Sequence, residues 1–122
     1  MKRREAACSC GQLRLVAEGE PLRVSACHCL ACQRRSGSAF AVQARFPEEK
    51  VALQGEGRDH VRPGGSGQAI SFTFCPHCGS TLCYACQAEP GVIAVPVGPL
   101  PIRPSRRRPC RYTRNGAMAG VN

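Results

Sequence analysis

Four short segments of the chain carry nine of its ten cysteines, at spacings that are typical of metal ligands. These segments are Cys8-x-Cys10, Cys27-x-Cys29-x-x-Cys32, Cys75-x-x-Cys78 and Cys83-x-x-Cys86, and Cys110 stands alone. Cysteines one or two residues apart rarely bond to each other, because so short a loop strains the disulfide geometry. Two thiolates on one tight turn do converge on one ion, and zinc takes four such ligands tetrahedrally. The pattern therefore predicts a zinc-binding protein.

The first and third segments are similar, because a glycine follows the second cysteine of each (Gly11 and Gly79). A residue with a positive φ at that position lets backbone N–H groups point at the sulfur atoms. Pairing the two segments gives a closed site of four thiolates that ties the start of the chain to its latter half. Its ligands would be Cys8, Cys10, Cys75 and Cys78. We expect this zinc to be structural and to contribute directly to folding.

The second segment brings three cysteines, Cys27, Cys29 and Cys32, into six residues. Three protein ligands and an open fourth position are how a catalytic zinc is usually held. Such an ion activates water, polarises a carbonyl, or binds and activates a thiolate. The spacing equally allows a second closed site, completed by another residue; the candidates are His28, Cys83 and Cys86.

Two arginines, Arg34 and Arg35, come immediately after this segment. Because a guanidinium group pairs well with a carboxylate, they could hold an acidic substrate near an open metal site. They could equally form a solvated surface pair with no functional role. The sequence leaves both interpretations open.

The fourth segment is the hardest to assign. Residues three apart on a strand point to opposite faces, which argues against a shared ion for Cys83 and Cys86 and favours two small buried hydrophobic side chains. Cys78, Cys83 and Cys86 also match the spacing of a plant-type two-iron, two-sulfur cluster, with Cys110 as a distant fourth ligand. That alternative separates Cys78 from its neighbour and leaves Cys8 and Cys10 without partners. The sequence assigns no role to Cys83, Cys86 or Cys110.

The elements that must position these cysteines are almost all strands. Alternating apolar and polar residues predict strands near residues 12–18, 22–26, 38–46, 51–53, 69–74, 81–86 and 92–97. One or two helical turns are expected near residues 29–35, whereas residues 62–67 and the neighbourhood of His60 are predicted to be loop. With 122 residues the chain is long enough for one domain, and we predict an all-β fold class.

The formal net charge of +9 is concentrated at the C-terminal end. Residues 1–99 hold eleven Lys and Arg against eight acids, whereas residues 100–122 hold six Arg and no acid. We therefore predict a zinc-binding domain over residues 1–99 and a basic, proline- and arginine-rich, poorly ordered tail over residues 100–122. Aromatic residues for base stacking are scarce, which disfavours a nucleic-acid partner.

The predicted location is the cytoplasm, where thiols stay reduced and are available to metals. No apolar stretch is long enough to span a bilayer, and the charged N-terminal residues lead to Cys8 without an apolar signal region. The sequence does not determine an oligomeric state.

Three stretches together resemble the glutathione-dependent formaldehyde-activating enzyme family, which also includes the centromere protein V domain. They are Cys8-Ser9-Cys10-Gly11, residues 27–40 (from Cys-His-Cys-Leu-Ala-Cys to Ser-Gly-Ser-Ala-Phe), and Phe74-Cys75-Pro76-His77-Cys78-Gly79-Ser80. The resemblance runs from about Cys8 to Gly98, beyond which the proline- and arginine-rich sequence departs from the family pattern. It implies a zinc-stabilised β-tent of several short antiparallel sheets with two zinc ions.

The resemblance also implies ligands and a reaction. The structural zinc would be bound by Cys8, Cys10, Cys75 and Cys78, and the functional zinc by Cys27, Cys29 and Cys32, which are the expected catalytic residues. The implied activity is that of a carbon–sulfur lyase on S-hydroxymethylglutathione, the adduct of glutathione and formaldehyde. The expected partner is thus a small thiol substrate, such as glutathione. The alternative is a non-catalytic zinc module that binds another protein.

Overall fold

The structure, a computed structural model, describes residues 2–100 together with the backbone of residues 111–112 and 118–119. One short helix, α1, spans Leu30–Ser36, and a single 3-10 turn spans Glu48–Lys50. The strands are β1 (Arg3–Ala7), β2 (Arg14–Glu18), β3 (Arg23–Cys27), β4 (Ala41–Pro47), β5 (Val51–Gln54), β6 (Arg58–Pro63), β7 (Ala69–Phe74), β8 (Thr81–Cys86), β9 (Val92–Pro96), β10 (Arg111–Tyr112) and β11 (Met118–Ala119).

All strand pairs are antiparallel, and they form two main sheets. A three-stranded sheet has the order β1-β2-β5, and a six-stranded sheet has the order β3-β4-β9-β8-β7-β6. The pair β10-β11 forms a separate two-stranded ribbon. The predicted all-β fold of short antiparallel sheets is therefore confirmed.

The main core lies between the two sheets. Leu15 and Ala17 of β2 alternate with exposed residues and point at the six-stranded sheet, from which Ala44, Phe46 and Val95 point back. Because strand side chains alternate in direction, this pattern buries one face of each sheet. Leu100 also packs into this cluster, and the carbonyl of Pro99 accepts a hydrogen bond from the amide of Ala7.

The opposite face of the six-stranded sheet carries a second, smaller apolar cluster. Phe72, Tyr84 and Ala94 are buried there, on three adjacent strands. The ring centroids of Phe72 and Tyr84 lie 5.0 Å apart. The guanidinium group of Arg35, in the last turn of α1, lies over both rings, so this helix covers the second face.

The capping residues at both ends of helix α1 explain where the helix begins and ends. Cys29 is its N-cap, and its sulfur accepts a hydrogen bond from the backbone N–H of Cys32. Gly37 ends the helix with a φ of 69°, a conformation that glycine adopts without steric cost. The predicted short helix near residues 29–35 is thus confirmed.

Within residues 2–100, β1 and β6 were not predicted as strands, and they are the most polar ones; β6 also includes Arg62 and Pro63 of the predicted 62–67 loop. Strands β10 and β11 lie in the predicted tail. The expected loop around His60 is wrong, because His60 lies in β6 and pairs with Phe72 of β7. Strand β6 is an edge strand whose residues are nearly all exposed, so it needs no alternation of apolar and polar residues. Strand β1 likewise buries only Ala6. The predicted poorly ordered tail, residues 100–122, lies mostly outside the described residues.

Candidate metal centres

The four cysteines of the predicted closed site meet at one point. Cys8 and Cys10 lie in the turn between β1 and β2, and Cys75 and Cys78 lie in the turn between β7 and β8. All four sulfur atoms lie within 4.8 Å of one another. The sulfur of Cys10 is 3.6 Å from that of Cys8 and 3.7 Å from that of Cys75.

These separations fit a metal ion better than a disulfide. A bonded pair of sulfurs would be about 2 Å apart, and all nine cysteines in the described part of the chain are free. A tetrahedral zinc with Zn–S bonds of about 2.3 Å separates its sulfurs by about 3.8 Å. The donor set of four thiolates is also the one that zinc prefers for structural sites. The geometry of this group therefore fits a bound zinc ion.

Backbone N–H groups point at the sulfurs of this group. The amide of Leu13 donates to Cys8 Sγ at 3.3 Å, and the amide of His77 donates to Cys75 Sγ at 3.4 Å. Gly11 and Gly79 both have a φ of 81°. A side chain would find open space at either glycine, so it is the backbone angle that requires glycine there.

Two polar side chains, which the sequence did not single out, complete the surroundings of this group. Gln12 Nε2 donates to Cys75 Sγ at 2.9 Å, and Ser80 Oγ lies 3.4 Å from Cys78 Sγ. Hydrogen bonds from the Ser80 side chain and backbone are the main cause that lowers the pKa of Cys78 to about 5. Both residues directly follow the positive-φ glycine of their turn. A polar residue at that position is the signal that could have identified them.

The three cysteines of the second segment also come together. Cys27 ends β3, Cys29 caps α1, and Cys32 lies one turn into that helix. Their sulfur atoms all lie within 4.8 Å of one another. Cys29 is exposed, Cys27 is half-buried and Cys32 is buried. The group is therefore anchored in the protein and open to solvent on one side.

The thiols of this second group differ in acidity. The hydrogen bond from the Cys32 amide, followed by those from the Cys32 and Cys27 side chains, lowers the pKa of Cys29 to about 7. Burial, followed by the neighbouring Cys27 and Cys29 thiols, raises the pKa of Cys32 to about 11. The exposed Cys29 thiol is thus more easily ionised than the buried Cys32 thiol.

No fourth ligand from residues 2–100 joins this second group. The ring of His28 instead stacks on Phe40, with 5.6 Å between centroids. Cys83 and Cys86 lie within strand β8 and belong to neither group. Cys78 belongs to the first group, which disfavours the two-iron, two-sulfur cluster that would share Cys78 with Cys83 and Cys86. Cys110, its distant fourth ligand, lies outside the described residues. Three thiolates with an unfilled fourth side fit a zinc ion that takes an external ligand.

A cavity of about 420 Å³ lies at the end of the six-stranded sheet where β3 ends at Cys27. Ala41, which pairs with Cys27 across β3 and β4, lines it, as do Phe40 and Arg35. Its opposite wall is formed by residues 79–81 and 96–99. Ser80, which is next to Cys78, belongs to that wall, whereas none of the described cysteines lines the cavity itself.

None of the helices in the part of the chain that the structure describes has the length and apolar character needed to cross a membrane.

Two packed antiparallel sheets with two cysteine groups that could each hold a metal ion define a small all-β protein. The chain belongs to the glutathione-dependent formaldehyde-activating enzyme family, whose model matches residues 3–113. The match extends past both ends of the stretch, about Cys8 to Gly98, over which the sequence motifs resemble that family. Membership associates the protein with glutathione and formaldehyde chemistry.

A solved structure has the same fold. It is a crystal structure of a Rhodobacter sphaeroides protein, a Northeast Structural Genomics target, with a TM-score of 0.63 and 21% identical residues. The similarity covers 84% of this chain and 92% of that one. At this level of identity the likeness concerns the fold alone. No curated protein matches the sequence.

Proposed function

We propose that the protein is a zinc-dependent carbon–sulfur lyase that forms and cleaves S-hydroxymethylglutathione. In the forming direction, the glutathione sulfur bonds to the formaldehyde carbon, and the thiol proton is transferred to the carbonyl oxygen. In the reverse direction the carbon–sulfur bond breaks and the proton returns to sulfur. The observation that carries this proposal is the group of three thiolates, Cys27, Cys29 and Cys32, with no fourth ligand from the described residues.

A zinc ion bound there would supply a Lewis-acidic position that favours the thiolate form of an incoming thiol. The three cysteines hold the ion from one side, and the exposed position of Cys29 leaves the other side accessible. Phe40 and Ala41 form a wall of the adjoining cavity, in which an aldehyde would be held next to the sulfur. Holding both reactants together replaces a chance encounter in solution with an oriented one.

The other cysteine group has a different role in this proposal. Cys8, Cys10, Cys75 and Cys78 would hold a zinc whose four positions are all filled by protein, so it would bind no substrate. Its contribution is to fix the turn that carries Ser80, and hence one wall of the cavity.

The proposal is tested by the exchange of isotope-labelled formaldehyde between its free hydrate and the glutathione adduct, followed by NMR. Formaldehyde and thiols combine without a catalyst, so exchange must be compared with protein-free solution. We expect the exchange rate to rise in proportion to protein concentration, and Cys29→Ser to abolish the increase. Cys86→Ser is a matched control, because Cys86 belongs to neither group. Exchange that stays at the protein-free rate would refute the proposal.

A second candidate function, a non-catalytic module that binds another protein, is favoured by one observation. Leu22 precedes the edge strand β3, Val24 lies in it, and Leu30 begins α1 beside Cys29; they are 57%, 58% and 57% exposed. Exposed apolar side chains at an unpaired sheet edge are suited to a protein contact. In this case the exchange assay would show no acceleration, while Leu22→Ser and Val24→Ser would weaken partner binding.

We further propose that the protein works in the cytoplasm. Its nine described cysteines are free, and both groups need reduced thiols to bind metal. Zinc recovered with the protein from a cytoplasmic fraction would support this location, and disulfide-linked cysteines in the native protein would contradict it.

A further inference from the structure

Three arginines surround the aromatic pair on the second face of the six-stranded sheet. The guanidinium carbon of Arg35 lies 5.5 Å from the Phe72 centroid and 5.3 Å from that of Tyr84. Arg62 lies 4.9 Å from the Phe72 centroid, and Arg45 lies 5.8 Å from that of Tyr84. Distances below about 6 Å allow cation–π attraction. Positive charge is therefore concentrated around the rings of Phe72 and Tyr84, which we call the aromatic platform.

Only one of these arginines has a carboxylate partner among residues 2–100. Arg45 pairs with Glu89 at 3.6 Å, whereas Arg35 and Arg62 form no ion pair with a described residue. Two nitrogens of Arg35, Nε and Nη2, are buried and have no hydrogen-bond partner among the described residues. Leaving buried donors of a charged group unpaired costs free energy.

The unpaired atoms would suit a carboxylate once the side chain turns this buried edge towards the cavity. The N–H groups on Nε and Nη2 point in the same direction from one edge of the planar guanidinium group. This edge matches the two oxygens of a carboxylate and binds them with two parallel hydrogen bonds. A single bridging water satisfies such an edge less well, because it carries no charge.

Arg35 is also positioned to contact a substrate at the second cysteine group. It lies three residues after Cys32 on α1, and residues three apart on a helix are neighbours on one face. It lines the cavity together with Ala41, the residue that pairs with Cys27. Arg34, the next residue along the helix, is exposed and lines neither the cavity nor the aromatic platform.

We propose that Arg35 is a specificity-determining residue that binds a carboxylate of the substrate, so that the second cysteine group accepts thiols that carry an acid group. The inference rests on the proposed function, because it assumes that a thiol reaches that group. Glutathione meets the requirement, since it has two carboxylates. A neutral thiol of similar size would lack the paired hydrogen bonds.

The test compares glutathione with its diethyl ester, which has the same thiol but no carboxylate. Calorimetry on the zinc-loaded protein measures binding of each thiol, and the exchange assay measures turnover. We expect the ester to bind about 10- to 100-fold more weakly, which is the range for losing a charged hydrogen-bond pair. Arg35→Gln should remove this preference, and Arg34→Gln should retain it. Equal binding of the two thiols by the wild-type protein would overturn the inference, as would equal effects of the two substitutions.

A second variant keeps the result interpretable if Arg35→Gln does not fold. Arg35→Lys preserves the charge but not the forked edge. We expect the Arg35→Lys protein to keep both zinc ions and to lose most of its preference for glutathione over the diethyl ester. Full retention of the preference would show that charge alone acts and would refute the paired geometry.

The two proposals fail in different ways. Binding of glutathione in preference to its ester, without faster exchange, would leave the role of Arg35 intact and refute the lyase. Faster exchange with equal kcat/KM for both thiols would leave the lyase intact and refute the role of Arg35. Failure of both thiols to bind would refute both.

Discussion

The two cysteine groups of this protein differ in the surroundings of their sulfur atoms. The first group offers four sulfur ligands, and the side chains of Gln12 and Ser80 lie against two of these sulfurs. In the second group, Cys29 is exposed and the described residues offer no fourth ligand. Filled coordination favours a structural ion, and unfilled coordination favours a reactive one.

This difference predicts opposite results for two cysteine substitutions. Cys78→Ser should leave the protein unfolded, because a structural zinc contributes about 10–16 kcal/mol to folding, as much as the whole stability of a typical domain. Cys29→Ser should release one zinc per chain and leave the fold intact. Circular dichroism and elemental analysis measure both outcomes, with Cys86→Ser as the control. A folded Cys78→Ser protein together with an unfolded Cys29→Ser protein would reverse our assignment.

Tyr84 provides a pH-dependent test of the aromatic platform. Burial is the main cause that raises its pKa to about 12, and it outweighs the nearby Arg45 and Arg35. Because the unfolded chain loses the tyrosine proton at a lower pH, Tyr84 makes stability fall as the pH rises from about 10 towards 12.

The measurement is the absorbance of tyrosinate, which is not obscured because the chain contains no Trp and two Tyr. We expect one of the two transitions near pH 12, and we expect Tyr84→Phe to remove that transition. A single transition at the ordinary tyrosine pKa, with both residues titrating together, would mean that Tyr84 is not buried on this face.

At the scale of elements, the sequence predicts the strands that bury apolar residues and not those that remain exposed. Strands β7 and β8 were predicted with their observed ends, because alternation and the flanking cysteine turns mark them. Strand β6 has no apolar face, so only its pairing with β7 reveals it. The grouping of the cysteines could be inferred from spacing and glycines, whereas the contact of Gln12 with the loop at Glu56 and the packing of Arg35 on Phe72 and Tyr84 depend on distant segments.

The loop after β5 depends on one glycine. Gly55 has a φ of 104°, and a Cβ atom there would collide with the backbone carbonyl of Gln12. The same loop binds the side chain of Gln12, which accepts a hydrogen bond from the Glu56 amide at 2.9 Å. The loop thus holds Gln12 in position next to Cys75.

We expect Gly55→Ala to lower the free energy of unfolding by more than about 1 kcal/mol, since the backbone angle and the collision both oppose a side chain. Gly65→Ala is the matched control, because a Cβ at Gly65 meets open space and its φ is not positive. It should change stability by less than about 0.5 kcal/mol. Denaturant unfolding of the zinc-loaded proteins measures both, and equal effects would contradict the role of Gly55.

At the scale of the whole molecule, both cysteine groups lie at the same end of the six-stranded sheet. Strand β3 ends at Cys27, β4 begins at Ala41, and β8 begins at Thr81 immediately after the turn of the first group. The cavity lies at this end of the sheet, and its lining includes Ala41, which pairs with Cys27, and Ser80, which is next to Cys78. The first group thereby holds one wall of the site at which the second group would act.

The measurement that tests this account most directly is zinc X-ray absorption on the purified protein, with and without glutathione. Two zinc ions per chain, one with four sulfur ligands and one with three, give an average of about 3.5 sulfurs per zinc. We predict that glutathione raises this average to about 4, because its sulfur takes the open position beside Cys27, Cys29 and Cys32. An average that is already 4 without glutathione, or one that glutathione leaves unchanged, would contradict the central claim of an open, thiol-binding zinc.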